Sequence, residues 1–254
     1  MINIVILGTG NVAKHLFNAL LAANNINIAQ VVGRNKKALK YYSDYTNVTN
    51  NYDDITDADI YIIAVSDPAI GLISEKLKSK NGLVVHTAGS VSMKFIAEHD
   101  NHGVFYPLQT FTQEQKLDFA SIPFCLEASN SKNLELLKTL ASSISNNIYE
   151  ISSKQRNTIH ICAIFINNFS NYMYHIAHTM CNENKIPFDI LKPLITETAK
   201  KIERISPFDA QTGPARRNDI ATIDKHIDQI KNKDFKKIYS LLSELIMKTN
   251  GKKL

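Results

Sequence analysis

The residues that are most informative about the fold are MINIVILGTGNVAKHLFNAL, residues 1–20. Its apolar run INIVIL (2–7) has the length and composition of a buried strand, and the residues after the glycines follow an amphipathic helical pattern. Gly8, Gly10 and Ala13 form a G-x-G-x-x-A pattern at the junction. This order of strand, glycine-rich turn and helix is typical of a dinucleotide-binding site.

The spacing of these small residues has a physical basis. The first Gly permits the tight turn, the second lets the backbone approach a pyrophosphate, and the third small residue lets the helix pack against the strand. The free N–H groups and the dipole of the helix then face the phosphates. We therefore predict cofactor contacts from five residues: Gly8, Thr9, Gly10, Asn11 and Val12. The alternative is a tight turn that binds nothing.

The end of the second strand indicates which nucleotide would bind. NAD sites usually carry Asp or Glu about 20 residues after the glycines, to accept from the ribose 2′-hydroxyl. No acidic residue occurs here between Gly10 and Asp44, and the strand ends with Arg34, followed by Lys36 and Lys37. A guanidinium fork matches a 2′-phosphate. We therefore predict NADP; the alternative is that Arg34 is a solvated surface residue.

The first 150 residues alternate apolar strand-length runs with helical patterns. Runs that are apolar on both faces suit a parallel sheet covered by helices, so the class is α/β with a Rossmann-type doubly wound, mostly parallel sheet. A strand–helix–strand portion over 122–151 completes the sheet. The other predicted strands are IAQVVG (28–33), DIYIIAV (59–65), GLVVHT (82–87) and HGVFYPL (102–108).

The strand signal stops near residue 151. No Pro or Gly interrupts the chain from Ser153 to Asn184, which predicts one helix of about 30 residues. We expect an NADP-binding domain over 1–151 and an all-helical substrate and dimerisation domain over 152–254. Further helices are predicted over 187–204, 218–231 and 234–249, with a Pro- and Gly-containing loop over 205–219.

Two more strand ends supply candidate site residues. The carboxyl ends of strands are where doubly wound sheets bind ligands. AVSDPAI (64–70) and HTAGS (86–90) lie at such ends. The predicted cofactor contacts are Ala64, Val65, Ser66 and Thr87, and Ser90 is predicted to contact substrate. Alternatively, Asp67 caps a helix that has Pro68 at its first position, and Thr87 and Ser90 cap a helix that starts at Val91.

The long helix carries a polar but uncharged stripe. At 100° per residue His160 and Asn167 fall on one line, together with Asn171 and His178, and aromatic and aliphatic residues lie opposite. A solvent-facing surface normally carries Lys and Glu, so this stripe indicates a site; a solvated or dimer-buried face is the alternative. Because histidine titrates near neutral pH, His160 is the candidate acid or base.

Two further groups of residues have side chains of the type that binds a substrate anion or a metal ion. Arg216 or Arg217 would hold a substrate carboxylate, or else form structural ion pairs, for example with Asp219. The set His175, His178 and Cys181 spreads over about 120° of the helix, so we predict no metal site.

The composition of the chain limits the classes of protein to which it can belong. The 254 residues are 44% apolar and 21% charged, with no Trp and a net charge of +5, as in an ordinary globular protein. Lysines crowd the last thirty residues, which we interpret as a solvated helix face with a frayed tail rather than a nucleic-acid site. The chain has no membrane-length apolar run and a first run too short for a signal peptide. Three widely spaced cysteines, Cys125, Cys162 and Cys181, indicate reduced thiols in a cytoplasmic protein.

Five motifs together resemble an uncharacterised family of Rossmann-like NADP oxidoreductases, similar to pyrroline-5-carboxylate reductases and deazaflavin-dependent NADP oxidoreductases. They are GTGNVA (8–13), HTAGS (86–90), GVFYPLQTF (103–111), HICAIFINN (160–168) and TGPARRND (212–219).

The resemblance implies a Rossmann domain followed by a helical dimerisation domain. The active site would lie between the two domains, where residues of the partner subunit would be able to complete it. Gly8, Gly10 and Arg34 would bind the cofactor, and His160 and Asn168 would face the substrate. On the helical wheel Asn167 lies on the line of His160, so Asn167 is an alternative to Asn168 as the residue that faces the substrate.

Two departures narrow the expected substrate. RNTIHICA (156–163) and TGPARRND replace the Ser/Gly-rich segment and the Ser-Pro-Gly-Gly-Thr-like loop of pyrroline-5-carboxylate reductases, so proline synthesis is not expected. The Lys-x-x-x-Asn helix of β-hydroxyacid dehydrogenases is also missing.

The predicted function is hydride transfer between NADP(H) and a small carbonyl, imine or cofactor substrate. The residues predicted to act on the substrate are His160, Asn168 and, as an anion anchor, Arg216. We expect a homodimer that uses no metal, nucleic acid or membrane. A non-catalytic NADP sensor is the alternative, and a basic protein associated with nucleic acid is a third hypothesis.

Overall fold

The computed structural model describes residues 1–112 and 116–251. These residues form two compact units. The first unit is Met1–Ile164, and the second, which we call the helical unit, starts at Phe165. The lysines at 252 and 253, which belong to the predicted frayed tail, lie outside the described residues.

Within the described residues, eight strands of the first unit form one sheet. Their order is β3-β2-β1-β4-β5-β6-β7-β8, and every pair is parallel except β6 with β7. The strands are β1 (Ile2–Leu7), β2 (Ile26–Val32), β3 (Asn47–Thr49), β4 (Ile60–Ile63), β5 (Leu83–His86), β6 (His102–Pro107), β7 (Phe124–Ala128) and β8 (Ile148–Glu150).

The order 3-2-1-4-5-6 of the first six strands is that of a Rossmann fold, so the predicted doubly wound, mostly parallel sheet is confirmed. The three-residue strand β3 was not predicted, because NVT (47–49) is too short and too polar to stand out from a turn.

Alternate side chains of β1 show why its sequence is a continuous apolar run. Ile4 and Ile6 belong to the hydrophobic core on one face of the sheet, and Val5 and Leu7 belong to the core on the other. Because both faces of the sheet are covered, residues 4–7 are buried, and only the start of the strand, Ile2 and Asn3, is partly or fully exposed.

Helices of the first unit follow the predicted alternation with strands. The first of them packs Ala13, Leu16, Phe17 and Leu20 into the core, as its apolar spacing requires. The helices are α1 (Asn11–Leu21), α2 (Lys36–Leu39), α3 (Ile70–Glu75), α4 (Ser131–Ser142) and α5 (Ser153–Ala163).

The predicted long helix is confirmed, with one irregularity. A capping box between Ser152 and Gln155 starts α5, which continues through a π-helical segment, Ile164–Phe169, into α6 (Ser170–Glu183). The whole helix has 31 residues. Because π turns bond i to i+5 and are wider than α turns, a register of 100° per residue does not extend across this segment.

The helical unit contains α6, α7 (Lys192–Lys201), α8 (Pro207–Ala210), α9 (Ile220–Gln229) and α10 (Lys233–Asn250). The interpretation of 205–219 as a loop is partly wrong, because it includes α8 and a 3₁₀ turn, Ala215–Arg217. Ser206 explains α8, since its side chain accepts from the N–H of Asp209 while Pro207 sets the first helical φ. In the part of the chain that the structure describes, no helix is long and apolar enough to cross a membrane.

Candidate functional site

The predicted cofactor residues meet at one edge of the sheet. They follow β1, β2, β4 and β5, which are parallel neighbours, so their carboxyl ends lie side by side. Strand β1 pairs with β2 on one side and β4 on the other, which makes this edge the topological switch point where such sheets bind ligands. The segments brought together are 8–12, Arg34, 64–66 and 87–90.

Gly8 occupies a position that other residues cannot adopt without strain. Its φ is +132°, and a Cβ atom built on it would lie 2.1 Å from the carbonyl oxygen of Ala64. Its N–H donates to the Val32 oxygen at 2.8 Å, which ties the turn to β2. The turn after β1 therefore depends on glycine at this position.

Gly10 leaves open space in front of α1. It is the N-cap of the helix, no side chain caps the first turn, and no acidic residue lies there. A Cβ on Gly10 would meet no atom within 4 Å. The side-chain amide of Asn11 donates to the carbonyl of Phe111 at 2.9 Å, so it leaves the helix N–H groups uncovered. This opening fits the pyrophosphate of a dinucleotide.

Arg34 lies exposed between β2 and α2 and makes no hydrogen bond or ion pair with the residues that the structure describes. The Asn35 side chain accepts from the N–H groups of Lys37 and Ala38 at 3.0 and 3.2 Å and so starts α2 directly after it. Burial raises the pKa of Tyr52, and the charge of Arg34 opposes that rise, which places the guanidinium near this ring. The guanidinium is thus available to a 2′-phosphate.

The segment after β4 differs from the predicted helix cap. Ser66 is the N-cap of the 3₁₀ helix Asp67–Ala69, and Asp67 is its first residue. The interpretation of Asp67 as the cap is therefore wrong by one position. Its carboxylate instead accepts a hydrogen bond from the hydroxyl of Ser90, which joins the ends of β4 and β5. Of the predicted contacts here, Ala64 is buried, Val65 is half-buried and Ser66 is exposed.

The segment after β5 also differs from the alternative of a helix that starts at Val91. Ser92 caps a 3₁₀ helix, Met93–Ile96, so neither Thr87 nor Ser90 is a cap. Thr87 is buried, and its hydroxyl donates to the carbonyl of Ile63 at 3.5 Å. Ser90 is exposed and so remains accessible to a ligand.

His160 packs directly against the segment after β5. A Cβ on Gly89 would lie 2.7 Å from Nδ1 of His160 and 2.9 Å from the hydroxyl oxygen of Tyr106. Glycine at 89 therefore lets these two side chains approach the same backbone. The Nδ1 atom is buried and has no hydrogen-bond partner among the described residues, whereas Nε2 is not buried. Nε2 is thus the ring nitrogen that faces outward.

Buried groups around this contact have shifted pKa values. Burial raises the pKa of Tyr106, with a further rise from Cys125, and the charge of Arg156 opposes both. Burial and the charge of Arg156 lower the pKa of His86 to about 4, against smaller opposing contributions that include the Ser92 backbone. His86 is therefore neutral at pH 7, and its Nδ1 accepts from the N–H of Ala88 at 3.2 Å.

Other candidate residues lie in the helical unit. Asn167 and Asn168 are both exposed in the π segment, and neither amide bonds to a described residue. Arg216 donates to the carbonyls of Asp209, at 3.1 Å, and Gln211, so its guanidinium already braces a turn. Asp219 forms no ion pair with it in the described part of the chain; it caps α9 by accepting from the N–H of Thr222 at 3.1 Å. The roles of Asn168 and Arg216 stay predictions.

Sequence reasoning did not single out several residues of this region as site residues. They are Tyr106, Glu127 and Arg156; Tyr106 stands inside GVFYPLQTF and Arg156 inside RNTIHICA, both quoted above, which was the available signal. Among residues 1–112 and 116–251, no three His, Cys, Asp or Glu side chains are grouped to hold a metal ion. All three cysteines are free thiols.

Comparison with known proteins relates both halves of the chain to described families. A family model described as "NADP oxidoreductase coenzyme F420-dependent" matches residues 3–89, and "Domain of unknown function (DUF2520)" matches residues 122–246. No curated protein matches the chain significantly.

Solved structures similar to the chain include one close in sequence. "Putative NADP oxidoreductase BF3122" from Bacteroides fragilis is 36% identical, with a TM-score of 0.88 over 97% of this chain and 98% of that one. Two others share the fold alone. The imine reductase from Myxococcus stipitatus, solved with NADP⁺, is 12% identical (TM-score 0.68, 98% and 93% covered). The 1-pyrroline-5-carboxylate reductase from Streptococcus pyogenes is 14% identical (TM-score 0.66, 98% of both chains covered). The chain belongs to the NADP oxidoreductase family represented by the Bacteroides fragilis protein, with an NADP-binding Rossmann domain followed by a DUF2520 domain.

Proposed function

We propose that this protein is an NADP(H)-dependent oxidoreductase that transfers a hydride between NADP(H) and a small carbonyl, imine or cofactor substrate. One observation carries the proposal. The open N-terminus of α1, the free guanidinium of Arg34 and the contact between Gly89 and His160 all lie in the first unit, on segments at the carboxyl ends of neighbouring strands or packed against them. The nicotinamide supplies the hydride chemistry when bound. The residues of the chain bind and orient the cofactor and the substrate, and they exchange the proton.

Preference for NADP over NAD rests on the residues after β2. Gly33, Arg34 and Asn35 present a cation where an NAD site would present a carboxylate. Because the guanidinium has no partner among the described residues, a 2′-phosphate would not have to displace one. The Myxococcus stipitatus reductase was solved with NADP⁺, which agrees with this choice within the wider fold.

Proton exchange is assigned to His160. Reduction of a carbonyl or imine needs a proton at the oxygen or nitrogen, and imidazole is the usual donor near neutral pH. The outward Nε2 would hold that proton, while Nδ1 packs at Gly89. The hydroxyl of Tyr106 touches the same glycine and would orient the substrate beside the imidazole.

A titration of NADPH and NADH tests cofactor binding. The fluorescence of the reduced nicotinamide reports binding, and the absence of Trp keeps the protein background low. Arg34→Ala is expected to weaken NADPH binding by about 10- to 100-fold, the value of one or two charge-assisted hydrogen bonds, and to leave NADH unchanged. Lys76→Ala removes an exposed charge just after α3 and is the matched control. Binding of neither nucleotide by the parent protein would contradict the proposal, and equal binding of both would contradict NADP preference.

His160→Ala tests the proton assignment. With any substrate that the parent protein reduces, turnover is expected to fall by about 10²- to 10⁴-fold while NADPH still binds. Unchanged turnover would show that His160 is not the proton donor.

We also propose that the protein acts as a homodimer through the helical unit. Phe165, Ile166 and Phe169 are 62, 76 and 50% exposed along one helix, and Ile190 and Leu194 are similarly exposed in the same unit. Such a concentration of exposed apolar side chains is typical of a subunit interface, and a second copy can cover the same surface on both partners.

Light scattering during size-exclusion chromatography measures the oligomeric state. The parent is expected at twice the monomer mass and Ile166→Asp at the monomer mass. Leu72→Asp, at a position 63% exposed in the first unit, is the control and should stay dimeric. A monomeric parent would contradict the dimer.

A further inference from the structure

We propose that Arg156 is a positioning residue, which holds the imidazole of His160 against Gly89 and Tyr106. The inference deepens the proposed function, because it rests on His160 as the proton donor. Arg156 lies one helical turn before His160 in α5, so both side chains project from the same face about 6 Å apart along the axis.

The guanidinium of Arg156 is fully enclosed. Its side chain is 1% exposed, and Nη1 forms an ion pair with the carboxylate of Glu127, at the end of β7, at 2.6 Å. Nη2 donates to the backbone carbonyl of Val91 at 2.6 Å and to the hydroxyl of Ser153 at 3.2 Å. One side chain thus joins β7, the segment after β5 and the first turn of α5.

Ser153 closes the network. Its hydroxyl donates to Glu127 at 2.6 Å and accepts from the backbone N–H of Met93 at 3.0 Å. The segment after β5 is therefore fixed to the start of α5 at two backbone points, the carbonyl of Val91 and the N–H of Met93.

The network holds both backbones that meet where His160 contacts Gly89. Val91 follows Gly89 by two residues, and Arg156 precedes His160 by four. Since His160 meets Gly89 with no hydrogen bond of its own at Nδ1, its position is set by how the two backbones are held. Arg156, through its bond to the Val91 carbonyl, connects the two backbones beside this contact.

The forked shape of arginine is required for this role. Its two terminal nitrogens point to different partners, a carboxylate through Nη1 and a carbonyl through Nη2. A lysine ammonium is a single point and would satisfy one partner at the cost of the other. The charge of Arg156 also acts on the neighbouring Tyr106 and His86, opposing the raised pKa of the tyrosine and adding to the lowered pKa of the histidine.

Replacing the ion pair by neutral side chains separates a role of Arg156 in positioning His160 from a role in the stability of the fold. Arg156→Met with Glu127→Leu removes both charges and fills the space with apolar side chains, so the double variant should fold. Arg156→Lys keeps the charge and loses the fork. Lys138→Met with Glu135→Leu removes an exposed pair in α4 and is the matched control.

The readout is the ¹⁵N spectrum of the His160 imidazole, assigned by its loss in His160→Gln. In the parent and the control, fixed packing of Nδ1 at Gly89 should hold one tautomer, so the Nδ1 and Nε2 signals should differ from those of free histidine in the same buffer. In the double variant and in Arg156→Lys, the signals should move to the averaged values of free histidine in the same buffer. NADPH binding should stay within twofold of the parent, and kcat with any substrate found should fall at least tenfold with KM for NADPH unchanged.

Two results would overturn the inference. An unchanged His160 spectrum in the folded double variant would show that the pair only stabilises the fold. An unchanged spectrum in Arg156→Lys would show that the fork is not needed, and this second variant decides the question if the double variant does not fold. Failure of the proposed function would be seen separately, as absence of NADPH binding in the parent.

Discussion

The two units of this protein bury their apolar residues to very different degrees. In the first unit, both faces of the sheet are covered, and β1, β4 and β5 contain buried residues at nearly every position. In the helical unit, few apolar side chains are buried, among them Cys181, Ile223 and Phe235, while Ile166 and Leu194 are largely exposed. The first unit completes a core by itself, whereas the helical unit leaves many of its apolar side chains exposed.

Ion pairs differ between the units as well. The first unit has surface pairs such as Lys138–Glu135, and it also has the Arg156–Glu127 pair, whose side chains are 1% and 18% exposed and which joins three segments. In the described part of the helical unit, the ion pairs join side chains that are more than half exposed, as in Arg204–Glu197 and Lys237–Asp234. Surface pairs contribute little stability, whereas a buried pair penalises the loss of either partner. Three experiments test this comparison, in order of decreasing effect.

The largest effect is expected from Gly8→Ala. The new Cβ would lie 2.1 Å from the Ala64 oxygen at a φ of +132°, so we expect a loss of more than about 4 kcal/mol in the free energy of unfolding. Gly10→Ala is the control: its Cβ meets nothing within 4 Å, so stability should change by less than about 0.5 kcal/mol while NADPH binding weakens. Urea unfolding measures the first quantity and nicotinamide fluorescence the second. A stable Gly8→Ala protein would show that the turn can relax.

An intermediate effect is expected from breaking the buried pair. Glu127→Leu leaves Arg156 charged and unpaired, which should cost about 3–5 kcal/mol. Glu197→Leu breaks the exposed pair with Arg204 and should cost about 1 kcal/mol or less. Urea unfolding of both variants compares the two ion pairs directly, and equal losses of stability would show that the enclosed pair is worth no more than the exposed one.

The smallest effect concerns pH. His86 is fully buried, and its pKa is lowered from 6.5 in the unfolded chain to about 4 in the fold. Below pH 6.5 the unfolded state binds a proton that the folded state does not, so stability is complete above pH 6.5 and is lost as the pH falls toward 4. The loss is on the order of 3 kcal/mol.

His86→Gln should remove this part of the pH dependence, measured as the difference between variant and parent in urea unfolding at pH 7 and pH 4.5. His175→Gln, at an exposed position of the helical unit, should leave the dependence unchanged. The same pH profile in His86→Gln and parent would show that His86 is not buried as a neutral group.

Prediction from the sequence succeeded where the signal is local. The strand-length runs, the helix after Gly10 and the 31-residue helix were all predicted from patterns within a few turns of chain. Local errors arose where one residue shifts a cap, as at Asp67, or where a short turn depends on a single side chain, as at Ser206. The angular register along the long helix failed at 164–169, because the π turns there are wider than the α turns that a period of 100° per residue assumes.

The Rossmann alternation, the glycine turn and the position of Arg34 were predictable from the sequence, because each depends on residues adjacent in the chain. The structure was needed to show that Gly89 receives His160 and Tyr106, that Ser90 bonds to Asp67, and which residues enclose Arg156. Val91 and Arg156 are 65 residues apart, and Glu127 and Arg156 are 29 apart. Contacts at such separations follow from the path of the whole chain, which periodicity and composition do not encode.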